Sequence, residues 1–275
     1  MTRQTAGQIW KALRNAVRAP EILRCAAETP QWAGISAAYL GFSHPHYPFL
    51  LQLRHEKSIP IEELTDLKAF WQIYLRRVYR VDGKDRHIID LGANVGIFTL
   101  YAARCAQHSK ILAVEPFPST FRRLVANVRD HGLESRVTCL NAAVTSTNGV
   151  RVMPDAPVPS QRRTLLSTIS TSALDSVSSG TQVAGKTLKV ILDENQIQQV
   201  DLLKVDIESS EYEVFFSTSQ HVLARIHRIA MEYHGDCAPH SKEQLFDHLR
   251  SAGFAVAWDI CDAQGYGITE LIRRN

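Results

Sequence analysis

The sequence predicts an α/β protein built on a doubly wound, Rossmann-like sheet with a helical extension before it. Three observations carry this expectation. From Arg86 onward, apolar runs of strand length alternate with helical segments, the pattern of a parallel sheet with crossover helices. The first run ends in a Gly-containing turn that enters a helix, Asp90-Leu91-Gly92-Ala93-Asn94-Val95-Gly96. The second ends in an acid, Glu115-Pro116-Phe117. A chain of 275 residues is long enough for one large domain with an appendage, and 45% hydrophobic content with 21% charge excludes wholesale disorder.

Charge and patterning divide the chain. Residues 1–80 hold eleven Lys and Arg against six Asp and Glu, whereas 81–275 hold 20 against 22. Residues 1–80 therefore read as a helical extension or cap, and 81–275 as the ligand-binding domain. In the extension, Ala6, Ile9, Trp10, Leu13, Ala16 and Val17 recur at helical spacing opposite Lys11, Arg14 and Arg18, and Pro20 is expected to stop that helix. A basic amphipathic helix either lies on a membrane surface or packs against its own domain or a partner subunit. Packing is preferred, with a homo-oligomer formed through these helices as one version of it. His44-Pro45-His46-Tyr47-Pro48 reads as irregular, and Glu63 to Tyr79 as one helix with an aromatic-rich buried stripe.

The domain proper begins with strand His87–Ile89, followed by a helix over about 96–106. Strand Ile111–Val114 and a helix over about 119–131 come next, then strand Val137–Leu140. Later strands are expected over 200–207, 226–233 and 254–258, with a helix over 242–251. Residues 154–180, holding three Pro, seven Ser and three Thr, read as a surface insertion or lid.

Several classes are excluded. Thirty-one basic against 28 acidic residues is too balanced for a dedicated nucleic-acid binder. Five cysteines without a C-x-x-C spacing argue against a disulfide framework or a zinc knuckle and suit reduced thiols in a cytoplasmic protein. The first residues lack the apolar core of a signal peptide, and no apolar run approaches the ~18 residues that a bilayer requires. A soluble protein without a membrane span is expected.

The turn after the first strand carries the chemistry. Gly92 permits a tight turn, Gly96 lets the helix start press on the strand, and the helix N-terminus favours an anion. Neither G-x-G-x-x-G nor a P-loop is present, and Asp90 would repel a pyrophosphate. S-adenosylmethionine carries both an ammonium and a carboxylate, so it suits Asp90 and the helix start together. Glu115 closes the next strand, where a carboxylate accepts hydrogen bonds from both ribose hydroxyls.

These residues resemble the FkbM family of S-adenosylmethionine-dependent methyltransferases. The likeness runs through Ile88–Gly96, Ala113–Pro116, Leu124–Asn127, Asn141–Val144, Asp201–Glu208, Glu232–His234 and Gly253-Phe254, and so covers most of the chain from Glu63 onward. Where the family usually has Gly after Asp-x-Glu, this chain has Ser209 and Ser210. The resemblance implies methyl transfer, commonly to a hydroxyl of a sugar, polyketide or other small molecule. It assigns the cofactor to Asp90, Gly92, Ala93, Asn94, Gly96 and Thr99, to Glu115, Pro116 and Phe117, and, beside adenine, to Asn141 and Ala142.

Lys204, Asp206, Glu208, Glu211, Glu232 and His234 come from the ends of two strands and should converge over the methyl donor. His234 is the preferred general base because its ordinary pKa lies near neutrality, with Asp206 and Glu208 as alternates. Lys204 and Glu211 read rather as structural ion-pair partners. The same carboxylates suit Mg²⁺ or Ca²⁺, but no spacing is metal-specific, so a divalent metal is not favoured. Two other readings compete: a nicotinamide-dependent oxidoreductase, disfavoured by the missing fingerprint and by Asp90, and a non-catalytic interaction module, disfavoured by the intact acids.

Overall fold

A computed structural model describes residues 18–153, 181–208, 210–235, 240–262 and 265–274. The expected helix through Ala6–Val17 and the expected insertion 154–180 lie outside the described residues. The chain falls into two compact units, Met1–Val78 and Tyr79–Asn275.

In the first unit, α1 (Ala19–Glu28) has Pro20 in its opening turn. Pro lacks only an N–H that a first turn leaves unpaired anyway, so Pro20 suits this start, while the helix it was expected to stop lies outside the described residues. Helix α2 (Trp32–Tyr39) and an antiparallel pair, β1 (Phe49–Leu51) with β2 (Ile59–Ile61), follow. The helix expected over Glu63–Tyr79 is shorter and composite. Helix α3 (Leu64–Phe70) opens with a capping box between Glu63 and Asp66, then widens into a π-helical turn, Trp71–Arg76. It ends at Arg77, whose φ of 59° breaks the helical path. Trp71 in that wide turn stacks on Tyr39 at 3.9 Å and donates its indole N–H to Glu21.

The second unit carries a seven-stranded sheet. Its strands are β3 (His87–Leu91), β4 (Lys110–Val114), β5 (Val137–Leu140), β9 (Val200–Val205), β10 (Ile226–Tyr233), β11 (Phe254–Cys261) and β12 (Gly267–Arg273), in spatial order β11-β12-β10-β9-β3-β4-β5. Chain order reverses between β3 and β9, the switch point at which open α/β sheets hold their ligands. β12 pairs antiparallel with both β10 and β11, and the other described pairings in this sheet are parallel. Sequence reasoning did not find β12. It also missed a three-stranded sheet in which β8 (Thr181–Lys186) lies between β6 (Ala142–Val144) and β7 (Gly149–Met153). Helices α4 (Ile97–Cys105), α5 (Pro118–Asp130), α6 (Leu188–Glu194), α7 (Glu211–Ser217), a short α8 (Gln220–Leu223) and α9 (Lys242–Ser251) connect the strands.

Strand alternation sorts the core from the site. Ile89, Leu91, Leu112, Val114, Leu203, Val205, Met231 and Tyr233 belong to one buried apolar cluster. Their neighbours along the strands point to the other face, so Asp90, Lys204 and Glu232 share a side near the strand ends. No helix among the described residues is long and apolar enough to cross a membrane. Cys25, Cys105, Cys139 and Cys261 are free thiols, and burial pushes the Cys25 and Cys139 thiols up to about 11.

Arg228 ties the sheet together near the opposite end of β10. Its guanidinium meets Asp85 at 2.7 Å and Glu270 of β12 at 3.5 Å, and all three side chains are buried. Breaking such a buried set strands the remaining charges, at a cost of about 3–5 kcal/mol. Urea unfolding of Arg228→Ala should show a midpoint lowered accordingly; a midpoint equal to wild type would mean that water or neighbouring groups already satisfy Asp85 and Glu270.

Candidate functional site

The turn leaving β3 is defined by contact rather than by sequence preference alone. Gly92 has φ +73°, and a Cβ there would lie 1.8 Å from the backbone oxygen of Asp206, so no other residue fits. This close approach lets the Asp206 N–H donate to the Leu91 carbonyl at 3.1 Å and extends the β3–β9 pairing into the site. Gly96, with φ +91°, caps α4, and a Cβ there would press on Leu124 at 2.7 Å. Between them Asn94 takes a left-handed φ of 51°. Asn127 of α5 holds the Val95 carbonyl through its side-chain amide at 2.7 Å, which fixes the turn from the far side.

Glu115 follows β4 and is only 4% exposed. Its carboxylate accepts the Asn94 N–H at 2.9 Å and the Phe117 N–H at 3.0 Å, joining the two strand ends. Each carboxylate oxygen can accept more than one hydrogen bond, so a diol remains within its chemistry. Asn141 supports the same corner by donating its amide to the Glu115 and Pro116 carbonyls at 2.8 and 2.9 Å. Ala142 is fully buried beside it.

Asp90 is 0% exposed. One carboxylate oxygen accepts the Thr99 hydroxyl at 2.7 Å, and the other lies 3.1 Å from the Lys204 ammonium. Sequence reasoning paired Asp90 with a ligand's ammonium; in the structure the ammonium that meets Asp90 belongs to the chain itself. Lys204 Nζ also donates to the Gly92 carbonyl at 2.8 Å and lies 3.6 Å from Asp206 Oδ2. Burial alone would lower Lys204, but Asp90 and Asp206 outweigh it and hold the ammonium above its ordinary value. Lys204 is thus a structural partner, as its sequence context suggested, and at the same time part of the site's turn.

Beyond Asp206 the chain turns through Glu208, at φ 53°, into α7. His234, just past β10, is clamped between two acids, with Nε2 3.3 Å from Glu208 and Nδ1 3.2 Å from Glu211. Glu211 is fully buried and its Oε1 also accepts the Ile207 N–H at 3.3 Å, while its Oε2 has no hydrogen-bond partner among the described residues. Burial would lower the His234 pKa, but the bonds to Glu208 and Glu211 dominate and carry it up to about 11. At neutral pH the ring is an imidazolium. It is poorly suited to the general-base role that its residue type suggests. Glu232, half-buried, behaves differently: burial and then Asp206 push its carboxyl up to about 8, and partial burial raises Asp206 as well. Among the described residues no group of three or more His, Cys, Asp or Glu is arranged to hold a metal ion.

Residues 90–256, more than half of the chain, match the family described as the methyltransferase FkbM domain. The chain belongs to the FkbM methyltransferase family. Similar proteins include Methyltransferase 1 of Beauveria bassiana, 28% identical over 201 residues, 68% of this chain and 80% of that protein. The 31-O-demethyl-FK506 methyltransferase FkbM of Streptomyces tacrolimicus is 29% identical over 192 residues, covering 62% of this chain and 72% of that protein. The AMB antimetabolite synthetase AmbE of Pseudomonas aeruginosa is 24% identical over 226 residues, 69% of this chain but only 10% of that protein. A solved structure of a methyltransferase FkbM from Methylobacillus flagellatus aligns at a TM-score of 0.45 and 14% identity, over 74% of this chain and 53% of that one.

Within this FkbM domain two groups of expected residues form. Asp90, Gly92, Ala93, Asn94, Gly96 and Thr99 meet Glu115, Phe117 and Asn141 around the β3 and β4 ends, with Pro116 and Ala142 beside them. Asp206, Glu208 and His234 form the second, which Lys204 joins to the first. Tyr79 was missed. Its buried hydroxyl donates to Glu232 at 3.4 Å and its ring lies 5.7 Å from Lys204 Nζ. No sequence pattern marks it beyond its place at the end of an apolar stripe.

A folded pKa raised from 6.5 to about 11 means that the clamp's contribution to stability is full below 6.5 and fades as pH rises toward 11. ¹⁵N NMR of the ring nitrogens should therefore show His234 fully protonated from pH 6 to 9. An inflection near 6.5 would release it from the clamp and restore it as a base.

Proposed function

We propose that this chain transfers the methyl group of S-adenosylmethionine to a hydroxyl oxygen of a small molecule such as a sugar or a polyketide. The carrying observation is Glu115, a buried carboxylate at the end of β4 that reaches across to the Asn94 N–H of the Gly92–Gly96 turn. Backbone groups of that turn and the positive end of α4 suit the donor's amino-acid portion, and Glu115 suits its ribose. Asn141 and Ala142 suit the adenine edge. The donor supplies an already activated methyl group, so the chain's own work is alignment and proton removal.

Asp206, Glu208 and His234 stand at the carboxyl ends of β9 and β10, on the acceptor side. Glu208 and Glu211 take both ring N–H groups of His234 and fix it as a cation whose charge favours a developing alkoxide, with a carboxylate at these strand ends to receive the proton. The name of the Streptomyces relative, a 31-O-demethyl-FK506 methyltransferase, favours oxygen as the acceptor atom. Calorimetry with S-adenosylmethionine, S-adenosylhomocysteine and NAD tests the reading. The two adenosyl ligands should bind and NAD should not, and Glu115→Ala should weaken S-adenosylhomocysteine by about 1.5–3 kcal/mol for each charge-assisted hydrogen bond lost. Tight NAD binding would overturn the reading; an unchanged Glu115→Ala affinity would remove Glu115 from the site.

A further inference from the structure

Glu232 lies outside the residues assigned to the reaction above, yet its placement is specific. Met231 of β10 is the register partner of Val205 of β9, so Glu232 and Asp206 are neighbours at the ends of adjacent parallel strands. Both lie on the face shared by Lys204, and the buried Tyr79 hydroxyl donates to Glu232 Oε2 at 3.4 Å. The charged groups around this pair are Lys204 of β9, Glu208 after it, and His234 after β10, with Asp90 beyond Tyr79. Lys204 is held by Asp90, and His234 by Glu208 and Glu211. The cations around the pair are Lys204, 3.6 Å from Asp206, and His234, and both are already held by other acids. Two acids side by side in a partly dry site cannot both ionise without a further positive charge.

Resting on the methyl-donor reading, we infer that Glu232 and Asp206 share a proton in the donor-free protein, that the fixed positive charge of a bound sulfonium expels it, and that the carboxylate so formed accepts the acceptor's hydroxyl proton. The Glu232 carboxyl, raised to about 8 by burial and by Asp206, is mostly protonated at pH 7, which agrees with this geometry. In the transfer itself the O–CH₃ bond forms as the CH₃–S bond breaks; its electron pair stays on sulfur, leaving a neutral thioether, and the hydroxyl proton passes to Glu232. The base is thus generated only when the methyl donor is present.

The test is proton release on binding, measured by calorimetry at pH 7 in buffers of different ionisation enthalpy. S-adenosylmethionine and S-adenosylhomocysteine share every group except the charged sulfur and its methyl. The sulfonium ligand should release roughly half a proton or more per molecule bound, and the thioether less than about half as much. Glu232→Gln should remove the difference. The wild-type comparison needs no variant, so a folding defect in Glu232→Gln leaves the test intact. Equal release by the two ligands, or a difference that survives Glu232→Gln, overturns this inference alone. Failure of both ligands to bind overturns the donor reading and this inference with it.

Discussion

The site depends on one buried ammonium. Lys204 sits in the middle of the sheet, 3% exposed, and binds a carboxylate of β3, a carbonyl of the Gly92 turn and a carboxylate at the end of its own strand. A lone buried charge of either sign costs several kcal/mol, so Asp90 and Lys204 are tolerable only together. Their pairing pins the β3 end to the β9 end at the point where strand order reverses. Thr99 completes the arrangement by donating to Asp90 from α4, so the strand, the turn and the helix that follows are fixed by a single connected set.

That set explains why the remaining site residues can hold their places. With the turn anchored, Gly92 can pass against the Asp206 backbone, where any side chain would collide. Asn94 then presents its N–H to Glu115, and Glu115 in turn orders Phe117 and the corner at Asn141. At the β9 and β10 ends the order is electrostatic. Glu208 and Glu211 hold His234 as a cation, while burial and mutual repulsion raise the carboxyls of Asp206 and Glu232. Neighbouring titratable groups are thereby pushed in different directions by their surroundings.

Much of this was readable from the chain. Glycines at 92 and 96, acids closing two successive strands and the alternation of Lys204, Asp206 and Glu208 with apolar neighbours all reflect local rules of turn and strand geometry. The elements that escaped are those whose cause is tertiary. β6 has three residues, too few for periodicity, and β12 slots between strands that precede it in the chain. Pro20 opens α1, a role that sequence does not distinguish from ending the helix before it. For His234, residue type gives the ordinary pKa, whereas the two glutamates that raise it are brought to it only by the fold. Lys204 was recognised as an ion-pair partner, but which carboxylate it meets, and that it also grips the Gly92 carbonyl, emerged only from the strand register.

The account stands most directly on Lys204→Met, a change that keeps the side chain's length and removes its charge. Calorimetry with S-adenosylhomocysteine should show affinity weakened about tenfold or more, equivalent to ~1.4 kcal/mol, because the Gly92 turn loses its tether and Asp90 its counter-charge. A folded Lys204→Met protein that binds S-adenosylhomocysteine as tightly as wild type would contradict the claim that this ammonium organises the site.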